Sequence, residues 1–543
     1  MLWLALHFRH LPLEVFTRGT PLQSQPAATA VTSSAETSAV VVAADRQALA
    51  RGVQPGMSVS TACALAPGLH TLTRDSAREQ ATLARIAAWA LQFTSLVSVA
   101  GPAPFPHPRP LGSASSVPLS QGERGSSSAP PERGDVSTVL LEIEGSLKLF
   151  GGLAKLHQQI ARGVADLGFS VSIACAPTPL AAQWLAGAGA TGINVRVQHR
   201  DALRHALEKL PAALICEDNA TRQLLHSVGA HTLGDCLRLP RDGLARRAGP
   251  RLLKQLDRAL GLIPDPRLPF VAPQTWSAAL QLPAPVANAE ALLFAARRLL
   301  AELCGWLAAS GHGVQRPRFE FIHEKQLVTI ITLELASATR ELEHLTTLLR
   351  ERLARTELPC AAIEIVIASG RVVPLASRNL AFLPGGAEQA SDAARFVERL
   401  NARLGAQAIC GLTPHADYRP ERAWRACRPG ATNDTAAGVS AATPTDAPTR
   451  PLWLLTTPRP LKEGSHVGDA GRTNGKKAGA APRDSDGSPL SLLAGPERIE
   501  AGWWDGRHVA RDYFVARNQA QSLLWIYRER DINARWYLHG FFS

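Results

Sequence analysis

The chain has 543 residues, 45% of them hydrophobic and 19% charged, and a formal net charge of +12 at pH 7. That length supports several separately cored domains and excludes a single small module, while the positive surplus calls for a polyanionic partner. Eight scattered cysteines, with no C-x-x-C pair and no His pair at zinc spacing, exclude a disulfide scaffold or zinc module and read as reduced core residues of a cytoplasmic protein.

Only eight of the 58 basic residues are lysines. Arginine's planar fork donates two parallel hydrogen bonds to a phosphate, although genomic base composition would bias the ratio the same way. The opening "MLWLALHFRHLPLEVF" is broken by charge and lacks a small-residue cleavage site, so no signal peptide is expected. No apolar run approaches the roughly 20 residues that span a bilayer, and no membrane partner is expected.

In chain order, Leu2 to Phe8 is a short apolar run fit for a buried strand, and "TSAVVVAA" (Thr37 to Ala44) is a second. "DSAREQATLARIAAWALQFTSLVSVA" begins at an Asp or Ser cap, carries apolar residues at helical spacing and ends strand-like. Residues 101 to 134 are rich in Pro, Gly and Ser and read as a disordered surface loop. The strand at 136 to 144, the amphipathic helix "LAKLHQQIARGVADLG" and the strand "FSVSIACAP" form a mixed α/β unit. Residues 206 to 262 are helical in pattern. From about 288 to 372 the order helix, strand, strand, helix, strand predicts a small sheet backed by two helices. A polar stretch at about 429 to 489 reads as disordered. The tail from 490 alternates turn signals with aromatic-rich strands ("GWWDG", "RDYFVAR", "SLLWIYRER", "RWYLHGFF") and predicts a compact β domain.

Within the helical part, Leu224 to Gly261 reads as helix, Val-Gly turn, helix, then a Gly-Pro turn and a further helix. Glycine at such turns lets helix ends approach and turns backbone N–H groups toward a phosphate oxygen. Arg241, Arg246, Arg247, Arg251, Lys254 and Arg258 crowd this segment against Asp242 and Asp257. Gly229, Gly234, Arg246, Arg247, Gly249, Arg251 and Lys254 are therefore the candidate sequence-independent DNA contacts. As a lone motif, such a hairpin is also a plain structural turn.

Phosphoryl transfer on nucleotides commonly uses two magnesium ions held by carboxylates converging from neighbouring strands. Glu142 and Glu144 alternate on "LLEIEGS" and would share a face. The first strand, "LWLALHF", offers no acid to meet them.

The segments "VVVAADRQALARGVQPGMSVSTACALAPGL", "LLEIEGSLKLFGG", "SIACAPTPLAAQWLA" and the helical hairpin, in this order, resemble the Y-family translesion DNA polymerases over roughly residues 1 to 415. The resemblance implies an α+β multidomain fold. Its parts are a palm (1–205) with a fingers insertion (about 16–75) and the disordered loop (about 101–134), a helix-hairpin-helix thumb (206–265) and a little-finger-like domain (275–415). A disordered linker (416–489) and a small β domain (490–543) follow.

The same resemblance places Ala5, His7, Ser137 and Thr138 where metal-binding acids belong, and Glu14 on a glutamate of the family. Arg46, Leu49 and Pro179 stand where the family grips an incoming triphosphate. Neither a metal nor a nucleotide cofactor is then expected. The loss of these acids and the extra C-terminal region resemble a noncatalytic branch of the family found in bacterial SOS-type mutagenesis cassettes. For that branch the implied partners are DNA, a sliding clamp, an error-prone DnaE-type polymerase and the RecA-like accessory protein ImuA.

"QSLLW" (Gln521 to Trp525) and "QLVTI" (Gln326 to Ile330) come nearest to a clamp-binding peptide but read as core strands. Trp453 and Leu454 in "PLWLL", with Trp503 and Trp504, are the candidate partner-binding residues. An active polymerase using displaced acids such as Glu14, Glu142 and Glu144 is the enzyme alternative. A helical-hairpin nuclease or plain interaction module would leave the palm-like order unexplained.

Overall fold

The apolar run at the N-terminus becomes β1 (Trp3–His7), an inner strand of a four-stranded antiparallel sheet. The computed structural model describes residues 1–19, 28–33, 39–100, 137–189, 200–216, 218–324, 327–375, 386–405, 408–427, 450–451, 453–463, 482–484, 486–532 and 534–542. They fall into two units, Met1–Arg403 and Leu404–Ser543. The loop expected at 101–134 and Gln326 of "QLVTI" lie outside the described residues.

After β1 come α1 (Leu11–Thr17), β2 (Thr29–Thr32), β3 (Val41–Ala44), α2 (Arg46–Ala50), α3 (Val59–Leu65) and β4 (His70–Thr73). Strand β2 pairs antiparallel with β3 and parallel with β4, over a small core of alanine and valine. Next are α4 (Ser76–Ala90), β5 (Val97–Val99), β6 (Thr138–Glu142), α5 (Leu153–Leu167), β7 (Ser172–Ala176) and α6 (Pro179–Ala188). The first sheet has the order β5-β6-β1-β7. Because strand side chains alternate, Leu4, Leu6 and Phe8 enter the core shared with α4 and α5, while Trp3 and Ala5 enter a separate core with α6.

Helices α7 (Arg200–Glu208), α8 (Asn219–Ser227), α9 (Leu233–Arg238), α10 (Arg241–Ala248) and α11 (Pro250–Ala259) continue that second core through Leu225, Leu233, Leu252 and Leu256. A second sheet, order β11-β10-β12-β8, follows: β8 (Ser277–Val286), α12 (Ala289–Ser310), β9 (His312–Val314), β10 (Arg318–His323), β11 (Val328–Thr332), α13 (Leu342–Leu353), β12 (Ala362–Ala368), β13 (Val372–Pro374) and α14 (Gly386–Leu404). The sequence order of two helices and three strands is found here; β8 is an addition. Helix α12 also leans on the first sheet's helices. Trp89 of α4 fills the space over Gly163 and Gly305, where an added Cβ would fall 2.4 and 2.1 Å from its ring. Beside it the buried Glu302 accepts from Arg18 and Arg85.

The C-terminal unit holds β14 (Gly411–Pro414), β15 (Trp424–Cys427), β16 (Trp453–Pro460), β17 (Lys462–Glu463), β18 (Pro482–Arg483), β19 (Ser491–Ala501), β20 (Val509–Arg517), β21 (Leu523–Glu529) and β22 (Trp536–Phe541). Its main sheet is antiparallel, order β16-β22-β21-β20-β19, with apolar clusters around Trp536 and around Tyr513. Three expectations are corrected here. Residues 453–460, read as linker, are an edge strand, and 411–427 carry the β14–β15 ribbon, because short apolar runs in a polar context still found sheet partners. "GWWDG" is a turn after β19 and not a strand. Glu144 does not alternate with Glu142 on β6, since the chain turns into a short 3-10 helix at Glu144–Ser146.

Candidate functional site

Register decides what meets across the first sheet. Ala5 lies opposite Leu140 on β6 and Ala174 on β7, and His7 lies opposite Thr138. The His7 Nδ1 and Thr138 Oγ1 are 2.9 Å apart, a hydrogen bond between two strands at the very positions the resemblance assigns to acids. Ala5 is fully buried, Thr138 and Ser137 are buried, and the Ser137 carbonyl accepts from the Phe8 amide at 2.7 Å. An imidazole, a methyl and two hydroxyls do not fit magnesium, which takes hard carboxylate oxygens. No group of three or more His, Cys, Asp or Glu able to hold a metal occurs among the described residues.

The other glutamates do not compensate. Glu142 is opposite Trp3, at the far end of β1 from His7, and its Oε1 accepts from the Leu2 and Glu144 amides. Glu14 sits on α1 and accepts from both the backbone N–H (3.0 Å) and the hydroxyl of Ser170. Burial raises its carboxyl from the ordinary 4.5 to about 7, against the opposing pull of Ser170, Arg298 and Arg18. Each carboxylate is thus tied to groups of its own, Glu142 to the Leu2 and Glu144 amides and Glu14 to Ser170.

Arg46 and Leu49 are exposed on α2, whose cap Asp45 is buried and accepts from Ala48 N and Thr29 N. Pro179 is buried as the first residue of α6 behind the cap Thr178. A leucine and a buried proline offer a triphosphate no donor.

The helical block divides its predicted contacts into two groups. At the α8–α9 turn Gly229 has φ +75° and is exposed, but the turn's amides are already used. Gly229 N donates to His226 O, Ala230 N to Leu225 O, and His231 N and Thr232 N to the Asp235 carboxylate. Thr232 and Asp235 form a reciprocal capping box, and these hydrogen bonds hold the Asp235 carboxyl well below the usual range. Gly234 is a correction: it is buried in α9, where a Cβ would meet the Glu208 carbonyl at 3.0 Å, so it serves helix packing and not a phosphate. The sequence signal was present, since Thr232 and Asp235 stand at capping-box spacing.

The α10–α11 turn differs. Gly249 has φ +84°, and no side chain caps α11. Arg246, Arg247, Arg251 and Lys254 are all exposed around it. On α11, Arg251, Lys254 and Arg258 recur at helical spacing opposite the buried Leu252, Leu256 and Ala259, so they share one exposed face. Arg241 is withdrawn from this set by a two-oxygen ion pair to Asp257, and Arg246 Nε donates to the Asp242 carbonyl. Arg258 is the basic residue of this face missing from the sequence-based candidates.

Residues 10–103 match the impB/mucB/samB (IMS) family. Protein ImuB from two strains of Caulobacter vibrioides, NA1000 / CB15N and ATCC 19089 / CIP 103742 / CB 15, is 25% identical over 511 residues, covering 91% of this chain and 100% of the relative. This chain is similar to ImuB along nearly its whole length. Solved structures that match include the post-insertion binary complex of Dbh DNA polymerase (15% identity, TM-score 0.37) and DinB from Sulfolobus solfataricus (14%, 0.34), each covering 68% of this chain and 98% of the other.

The ImuB-like match extends into the C-terminal unit, where the aromatic candidates separate by burial. Trp525 and Tyr513 are buried and stacked at 4.1 Å, and Tyr513 OH pairs with His539 Nδ1 at 2.8 Å. "QSLLW" buries only Leu524 and Trp525 in β21, an inner strand, and the core reading of "QLVTI" is corrected, since Leu327, Val328 and Ile330 are exposed at the sheet-edge strand β11. Trp453 is 71% exposed although its strand is paired, whereas Leu454 packs partly into the core. Trp503 and Trp504 are 76% and 55% exposed and meet edge to face. Their turn is anchored by Asp505, which accepts two hydrogen bonds from the buried Arg419; Asp417 takes the other side of that guanidinium. No described helix is long and apolar enough to cross a membrane.

Proposed function

We propose that this chain is a noncatalytic, Y-family polymerase-like body that holds DNA and acts as an adaptor in translesion synthesis and damage-induced mutagenesis. The observation that carries the reading is the His7–Thr138 hydrogen bond, a cross-strand contact without a carboxylate where the resemblance calls for metal-binding acids. A sheet kept intact around a lost metal site still builds a rigid body. In this reading residues 1–205 are palm and fingers, 206–265 the thumb and 275–415 the little finger. DNA lies along the α10–α11 turn, bound through its backbone without sequence preference.

Partners complete the proposal. A sliding clamp, an error-prone DnaE-type polymerase and an ImuA-type RecA-like protein are recruited, with the exposed Trp453, Trp503 and Trp504 as anchors, since large aromatic side chains dominate interface energetics. The work is placed in the cytoplasm. An active polymerase built on displaced acids is disfavoured because Glu14 is committed to Ser170 and Glu142 to the Leu2 and Glu144 amides. Primer extension by the purified chain tests the reading: none is expected with magnesium or manganese, and incorporation abolished by Glu142→Ala would overturn it.

A further inference from the structure

A cavity of about 210 Å³ opens between α1, α4 and the second sheet, and three guanidinium groups line it: Arg18, Arg78 and Arg85. Thr82, Gln281 and Glu364 supply its other polar groups. Glu302 lies beside them, fully buried, but both its oxygens are committed, one to Arg18 at 2.5 Å and the other to Arg85 at 2.9 Å. Arg18 also donates to the Leu167 carbonyl and Arg85 to the Thr82 hydroxyl.

Arg78 is left over. Its guanidinium rests on the Phe16 ring at 4.9 Å, and its Nη2 donates to Gln281 Oε1 at 2.7 Å. Its Nη1 is buried with no hydrogen-bond partner. Asp75 lies 3.6 Å from Nε, beyond hydrogen-bond range, with a side chain 41% exposed and therefore screened. A buried, unpaired guanidinium donor is costly, and such groups call for a partner outside the protein. Burial raises the Glu364 carboxyl on the cavity wall, while the nearby charge of Arg78 pulls it the other way.

We propose that this cavity binds a phosphate-class oxyanion, held by Arg78 through its free Nη1 and by the adjacent Arg85. Guanidinium forks match the geometry of phosphate oxygens, and three of them line this one cavity. Because α1 and α4 belong to the first sheet's layer and Gln281 and Glu364 to the second sheet, a bound anion would clamp the two together.

The test is the melting temperature of the full chain in inorganic phosphate against chloride at matched ionic strength, with phosphate affinity read by calorimetry. Phosphate should raise the wild-type melting point by about 2 °C at saturation, and Arg78→Gln should lose most of that rise. Glu364→Gln, a near-isosteric change that keeps the wall intact, should tighten phosphate binding about two- to threefold. The same variants measured with primed DNA assign the source. If Arg78→Gln weakens DNA binding and phosphate competes with DNA, the anion is a backbone phosphate; if DNA affinity is unchanged, it is a small phosphate. An equal phosphate shift in wild type and Arg78→Gln, or no shift in wild type, would overturn the proposal.

Discussion

At the scale of single residues, Glu14 shows how burial turns a carboxyl into a pH-dependent stability element. The folded-state carboxyl is raised from 4.5 to about 7 by desolvation. Between those values the folded state holds a proton that the unfolded state has released, so stability falls as pH rises through that window and the full penalty applies above about 7. Replacing Glu14 by Gln should flatten this fall. Relative to wild type, the variant should gain on the order of 2–3 kcal/mol between pH 4 and pH 8, read from denaturant midpoints at each pH. A wild type equally stable across that range would contradict the buried carboxyl. Nothing in "LPLEVF" reveals this, because Ser170 and Arg298 reach Glu14 only through the tertiary fold. The sequence resemblance assigns Ala5, His7 and Thr138 to acid positions, whereas the hydrogen bond joining His7 to Thr138 needed the strand register.

At the scale of elements, two contacts can be tested separately. Trp89 is held between α5 and α12 by glycines that admit its ring, so Gly305→Ala forces a Cβ into the indole and should cost about 1–3 kcal/mol in denaturant unfolding, with DNA affinity little changed in the folded fraction. The exposed basic surface of α10 and α11 should act oppositely. Neutralising Arg247, Lys254 and Arg258 together should leave the melting temperature within about a degree, because surface substitutions of this kind change stability little. It should reduce the slope of log affinity for single-stranded DNA against log salt by about 2, at roughly 0.7 per phosphate contact. An unchanged slope would move the DNA site off these two helices. The sequence read the helices well, since the apolar spacing of Leu252, Leu256 and Ala259 is a local signal. It placed a phosphate contact on Gly234, which is buried inside α9, because helix-to-helix approach at Glu208 is not a local property. The strand β8 and the edge strand β16 escaped for a related reason: each is short of a distinctive local pattern and is fixed by the strand it pairs with.

For the whole molecule, the division at Leu404 separates two tasks in the proposed function. Deleting Leu404–Ser543 should leave affinity for primed DNA within about threefold, because the basic faces of α10 and α11 remain. It should abolish capture of the DnaE-type polymerase and the ImuA-type protein in pull-downs with purified components. If the truncated chain still captured both, the exposed tryptophans would have no recruiting role, and the docking surface would belong to the polymerase-like body.

In the proposed function this polymerase-like body binds a primer terminus and leaves it unextended. The most direct measurement follows binding and extension in one reaction, with the purified full chain titrated onto a fluorescent primed template in the presence of magnesium and all four deoxynucleoside triphosphates. Anisotropy should saturate while the primer stays at its original length, at every protein concentration and with manganese in place of magnesium. Extension that rises in step with occupancy, and that is lost in Glu142→Ala or Glu14→Gln, would contradict the account.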